Sequence, residues 1–256
     1  MSDWLHNLPL VWMAIVVFAC TFLVTAAIYW MVTLLAVGER ARSFKAVSPG
    51  ILPPLGIIFG LFVAFTAAQV WGDNQQAGST VDREASALRA VVILASRFPT
   101  DGETRLRTLI REHIGETTAK EWPMMADRTA NLRVIPQKLA EALQLALTLE
   151  PNNEGQRIAQ REITTSLENA FEARRQRVLI SRSQVHWTKW AALLLQAACA
   201  LIAIAMVHSD NRLSSAITLA MFATGVAASA FLIVAYDRPF VGQLAVSPAP
   251  LLEVMP

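Results

Sequence analysis

The chain has 256 residues, 54% of them hydrophobic and only 16% charged, with a net charge of +2 and a mean hydropathy of +0.40. That is too apolar for an ordinary soluble domain, and its nearly balanced charges exclude the one-signed surface of a nucleic-acid binder. Only Cys20 and Cys199 are available, both inside apolar runs, which excludes a disulfide framework and a cysteine-based metal site.

The N-terminus MSDWLHNLPLVW has no Lys or Arg ahead of a very long apolar run. A cleaved signal peptide needs a basic start and a shorter core, so this run is expected to stay as a membrane span. It extends from about Leu8 to Val37, more than the roughly 20 residues needed to cross the hydrocarbon. Trp12 and Trp30 lie near its ends, as interfacial anchors do. A polar link from Gly38 to Gly50 follows, with Glu39, Arg40, Arg42 and Lys45.

Span two, Pro53 to Asp73, begins on two prolines, which suit a first helical turn. At about 100° per residue it has two faces. Gly56, Gly60, Ala64 and Ala67 form a small-residue stripe suited to helix packing within or between subunits. Phe59, Phe62, Thr66, Gln69 and Asp73 form an aromatic and polar stripe. Polar side chains in a span avoid lipid, so this second stripe is expected to face water in a pore or partners in a bundle.

From Gly72 the composition becomes that of a soluble insert. Helical spacing at Val81, Ala85, Leu88, Val92 and Ala95 predicts a helix capped by Ser79 or Thr80. A second helix carries Leu106, Leu109, Ile110 and Ile114, and a third runs from about Pro136 to Leu149. Nothing alternates with period two over a useful length, so the insert is read as all helical. Between Gly155 and Gly225 there is no Pro or Gly, which predicts one long helix rising into span three, Trp190 to Val207. Leu213 to Tyr236 is span four, and the tail is expected to lie along the surface.

The fold class is therefore all-α: an integral membrane protein of four transmembrane helices with a helical insert between spans two and three. The domains are 1–71 for the first two spans, 72–186 for the insert, 187–236 for the last two spans, and 237–256 for the tail. An even number of spans places both termini and the insert on one side. Lys and Arg near the span ends are more numerous there, which predicts a cytoplasmic insert and termini.

No phosphate loop, nucleophile elbow or metal-ligand spacing appears, so no enzyme, catalytic residue, metal or cofactor is expected. His113, beside Glu112 and Glu116, is read as a helix-surface residue. Arg174, Arg175, Arg177 and Arg182 form a cluster near the membrane that suits anions or lipid headgroups, or else a surface laced with ion pairs.

Four spans with this insert, together with EA at Glu84 and Ala85, EWPMM from Glu121, ARRQR from Ala173 and DRPF from Asp237, resemble the bacterial bestrophin-like family of membrane proteins. The resemblance covers nearly the whole chain, to about Pro248. It implies a homo-oligomeric, pentameric anion channel in a bacterial inner membrane, with inorganic anions and the lipid bilayer as partners. It also implies that span two lines a narrow neck, with Phe59 and Phe62 in it and Thr66 and Gln69 next along. DRPFVGQLAVSP lacks the acidic run of the bestrophin calcium clasp, so calcium gating is not carried over. The alternative is a membrane-anchored interaction or sensory module without a pore.

Overall fold

The computed structural model describes residues 3–6, 8–37, 44 and 47–255, and these form helices and turns with no strand among them. Among the described residues, four helical segments are long and apolar enough to cross a membrane: Leu10–Leu35, Pro49–Ala95, Trp187–Val207 and Arg212–Tyr236. The basic link residues Arg40, Arg42 and Lys45, with Glu39, lie outside the described residues.

Contacts divide the chain into two units. Unit 1 comprises Met1–Gly72 and Gln184–Arg238, and unit 2 comprises Asp73–Ser183 and Pro239–Pro256. Unit 1 holds α1 (Asp3–His6), α2 (Leu10–Leu35), the membrane half of α3 (Leu52–Ala95), and the two later spans. A short 3-10 turn, Pro49–Ile51, starts α3, with the Ser48 hydroxyl accepting from the Gly50 N–H at 3.2 Å. Ile28 and Val32 of α2 pack on Leu201, Ile204, Leu219 and Ala223 of the later spans. Thr21, Thr25 and Thr33 donate to the carbonyls four residues back at 2.7–2.8 Å, which satisfies their hydroxyls where water is absent.

Unit 2 is built on the other half of α3. Ala77, Val81, Leu88, Val91 and Ala95 are fully or almost fully buried at helical spacing. They pack against α4 (Thr100–Glu116), α6 (Gln137–Thr148) and α7 (Glu154–Ile180). After α4 the chain widens into a π-helical turn, Thr117–Glu121, and then the short α5 (Trp122–Ala126). Pro123 lacks an N–H to continue the i→i−4 ladder, which accounts for the widening of the helix just before it.

Four expectations differ from this arrangement. The insert does not start with a separate capped helix, since α3 runs unbroken for 44 residues through Gly72 and Gly78. Ser79 and Thr80 both donate back to the Gln76 carbonyl, at 3.0 and 2.7 Å, instead of capping. The predicted long helix into span three is two: α7 ends at Ile180, and α8 (Trp187–Val207) starts anew with His186 as its N-cap. In the break, Ser183 donates to Asp73 at 2.7 Å in unit 2, and the Val185 N–H donates to Asp237 at 2.6 Å in unit 1. These carboxylates take hydrogen bonds that a continuous helix would not offer them, with no Pro or Gly needed.

The tail is the third difference. After α9 (Arg212–Tyr236), Phe240, Leu251 and Val254 are buried in the unit 2 core, the latter two around α10 (Ala249–Leu252). Finally, His113 is 2% exposed and belongs to the interior of unit 2.

Candidate functional site

Span two carries the expected pore stripe, and its own chain covers that stripe. Phe59 is 7% exposed and packs on Phe222 with ring centroids 5.6 Å apart. Thr66 is buried and donates to the Phe62 carbonyl at 2.9 Å, and Phe62 itself packs partly buried against the same cluster. Gln69 accepts from Lys189, and Asp73 accepts from Ser183. Phe59, Phe62, Gln69 and Asp73 therefore hold α3 to its own chain, and Thr66 is turned back onto its own helix. Of the five, Phe59 and Thr66 are closed off within the single protomer.

The small-residue stripe is the reverse. Gly60 and Ala64 are exposed, and a Cβ added at Gly56 or Gly60 meets nothing within 4 Å. Neither glycine mediates close helix contact inside the protomer, and only Ala67 joins the Phe59 cluster. Helix packing in a span rests on dispersion contacts, and the Phe59 ring meets Phe222 in one that a Gly or Ala does not offer.

What α3 leaves open is a row that the sequence reading passed over. Ile57, Leu61 and Phe65 are 69%, 56% and 68% exposed at intervals of four residues, with Ile58 beside them. Four-residue steps on a helix make a ridge, and Gly60, Ala64 and Ala68 lie alongside it as low ground. The signal was present as Ile57-x3-Leu61-x3-Phe65. It was masked because aliphatic residues in a span read as ordinary lipid contact.

The arginine cluster in unit 2 is also corrected. Arg177 is completely buried and grips Glu84 with both Nε and Nη2, at 2.7 and 3.1 Å, in the two-pronged geometry that suits guanidinium and carboxylate. It also lies over the Trp122 ring, 5.1 Å from its centroid. Arg174 is 7% exposed and donates to Glu121 and to the Val134 carbonyl, both at 3.2 Å. Arg182 donates to the Ala130 carbonyl. Arg174 and Arg177 are therefore interior braces rather than an anion or headgroup patch, and Arg182 straps a loop. Arg175 alone keeps the expected ion-paired surface form, 3.7 Å from Glu172 with both side chains about half exposed.

Burial works against the Glu84 carboxylate, yet Arg177 first, then His113, hold it well below the usual range, at about 2. The same pairing raises Arg177 against the effect of its own burial. His113 Nε2 lies 3.5 Å from Glu84 Oε1. Sequence reading missed Glu84 and Glu121 as partners because they lie far from Arg174 and Arg177 along the chain. Among the described residues, no group of three or more His, Cys, Asp or Glu side chains is arranged to hold a metal ion.

Fold and site together define an all-helical, multi-span membrane protein whose second span joins a helical insert. The chain belongs to the Bestrophin-like family, whose domain model matches residues 19–251. Solved structures agree on the fold. An isoleucine-to-threonine variant of a bacterial bestrophin homologue from Klebsiella pneumoniae superposes with a TM-score of 0.74 at 10% identity, covering 93% of this chain and 97% of the other. A proline-to-alanine variant described as a membrane protein gives 0.72 at 10% identity, covering 93% and 96%. A tryptophan-to-alanine variant of the Klebsiella pneumoniae homologue gives 0.68 at 11% identity, covering 93% and 94%. No protein of curated function matches the chain.

Proposed function

We propose that the chain is the protomer of an oligomeric ion channel in a bacterial inner membrane, with the Ile57, Leu61 and Phe65 ridge of span two around the pore. One observation carries this reading. Only 11% of the span-two window is buried, the least of the four spans, although the same helix forms the buried centre of unit 2. A helix so firmly held at one end and so bare at the other calls for cover from further copies of the chain. Gly56, Gly60 and Ala64 beside the ridge give those copies room to approach closely.

The ridge is apolar, so it acts as a neck that controls passage by its width and wetting rather than by fixed charge. Preference for inorganic anions and a count of five subunits rest on kinship with bestrophins, because Arg174, Arg177 and Arg182 are held by internal partners. A cytoplasmic position for the insert and both termini rests on the positive-inside count. The test is flux from proteoliposomes. Phe65→Ala is expected to change ion flux severalfold while leaving the oligomer intact. A monomer with no flux would overturn the channel in favour of an interaction module.

A further inference from the structure

The seam between α2 and α9 in unit 1 holds two cavities that share Tyr29 and that the channel reading does not use. The first, of about 90 Å³, lies where α2 ends and α9 begins, with Thr33, Ser209, Arg212 and Ser215 among its lining residues. The second, of about 180 Å³, follows the same two helices from Tyr29 back to Phe22 and from Ala216 on to Ala220. Arg212 and Ala220 are about two helical turns apart, roughly 12 Å along the axis. The pair therefore makes one groove, with a polar end at the bilayer surface and an apolar end inside the hydrocarbon.

The polar end is a set of donors. Among the described residues, Arg212 is the one charged side chain in its lining, and no carboxylate joins it. Asp210, two positions away, has a partner of its own. The Thr33 hydroxyl donates to the Tyr29 carbonyl at 2.7 Å. The Arg212 guanidinium and the hydroxyls of Tyr29, Ser209 and Ser215 have no hydrogen-bond partner among the described residues. Ser215 is only 4% exposed, so its hydroxyl is held inside the seam rather than in solvent. A buried hydroxyl without a partner is costly, and a cation at the first residue of a span stands at the depth of lipid headgroups. A phosphate, with several acceptor oxygens and a negative charge, answers both. A cationic head would find no carboxylate in the lining. At the other end the Thr25 hydroxyl is closed onto the Thr21 carbonyl at 2.8 Å, which leaves Phe22, Ala26, Leu219 and Ala220 as an apolar trough.

We propose that this groove is a binding site for one anionic phospholipid. Its phosphate accepts from Arg212 and from the Tyr29, Ser209 and Ser215 hydroxyls, and the first part of one acyl chain lies between Phe22 and Ala220. Bound there, the lipid joins α2 to the turn between α8 and α9. The site belongs to unit 1 alone and stands whether or not span two surrounds a pore.

The test uses full-length protein in detergent micelles, mixed with phosphatidylglycerol or with phosphatidylcholine of the same acyl chains, and reads bound lipid by native mass spectrometry. Phosphatidylglycerol is expected to be retained severalfold better. Arg212→Gln, at an exposed position, is expected to weaken its binding about tenfold and to abolish that preference. Ala216→Phe, which fills the apolar end from an exposed position, is expected to weaken both lipids. Ala26→Phe on the facing helix gives the same reading should the first variant fold poorly. Inorganic phosphate is expected to leave the bound lipid in place. Equal retention of the two lipids, displacement by inorganic phosphate, or binding unaltered by Arg212→Gln or by both phenylalanines would overturn the site. A fall in subunit number with either phenylalanine would give the groove to a neighbouring copy of the chain and overturn it as well.

Discussion

The two halves of α3 are made of one helix and live in opposite surroundings. From Ala77 to Ala95 its inward positions are shut in by α4, α6 and α7, and Glu84 is locked to Arg177. From Leu52 to Trp71 only its Phe59 side is covered, while Ile57, Leu61 and Phe65 stand open. The comparison teaches that closed packing and open surface are separated along this helix. The insert half fixes the structure, and the membrane half presents a surface.

The largest effect should come from the buried pair. Arg177→Met leaves Glu84 buried without its counter-charge and is expected to cost about 3–5 kcal/mol, seen as a steep fall in Tm in detergent. The pH dependence has a defined sign. Glu84 is lowered from the usual 4.5 to about 2, so its contribution is complete above pH 4.5 and is lost as pH falls toward 2. Glu84→Gln should flatten that acid slope. An unchanged slope would mean that the pair is not what holds unit 2 at low pH.

Next comes a direct contrast along the same helix. Leu88→Ala, at 0% exposure, should destabilise by about 2–5 kcal/mol, whereas Leu61→Ala, at 56%, should leave protomer stability within about 1 kcal/mol. Equal losses of Tm would erase the distinction between the halves. The smallest effect is expected at Arg175→Ala. Its ion pair with Glu172 is exposed and should contribute under about 0.5 kcal/mol, measurable as an unaltered Tm and an unaltered salt response.

Much of the fold was legible in the sequence because apolar length is a strong signal. The four spans and the helical insert follow from runs such as Leu213 to Tyr236 and from spacing such as Leu106, Leu109 and Ile110. The site was less legible. Periodicity separates the faces of span two but does not say which one the chain covers, since that depends on Phe222 and Lys189, far along the sequence. The arginines posed the same difficulty. ARRQR reads as a surface patch until Glu84 and Glu121 are brought beside it. Ser181 to His186 shows a third limit: the helix ends there through carboxylates at Asp73 and Asp237 rather than through a local breaker.

The central claim is that the open ridge of span two, and not its covered stripe, surrounds the pore. In a background with Cys20 and Cys199 replaced by Ala, Leu61→Cys and Phe62→Cys can each be treated with a charged thiol reagent during flux from proteoliposomes. Rapid block at Leu61→Cys with little response at Phe62→Cys is the predicted result. Block at Phe62→Cys with Leu61→Cys unaffected would contradict it.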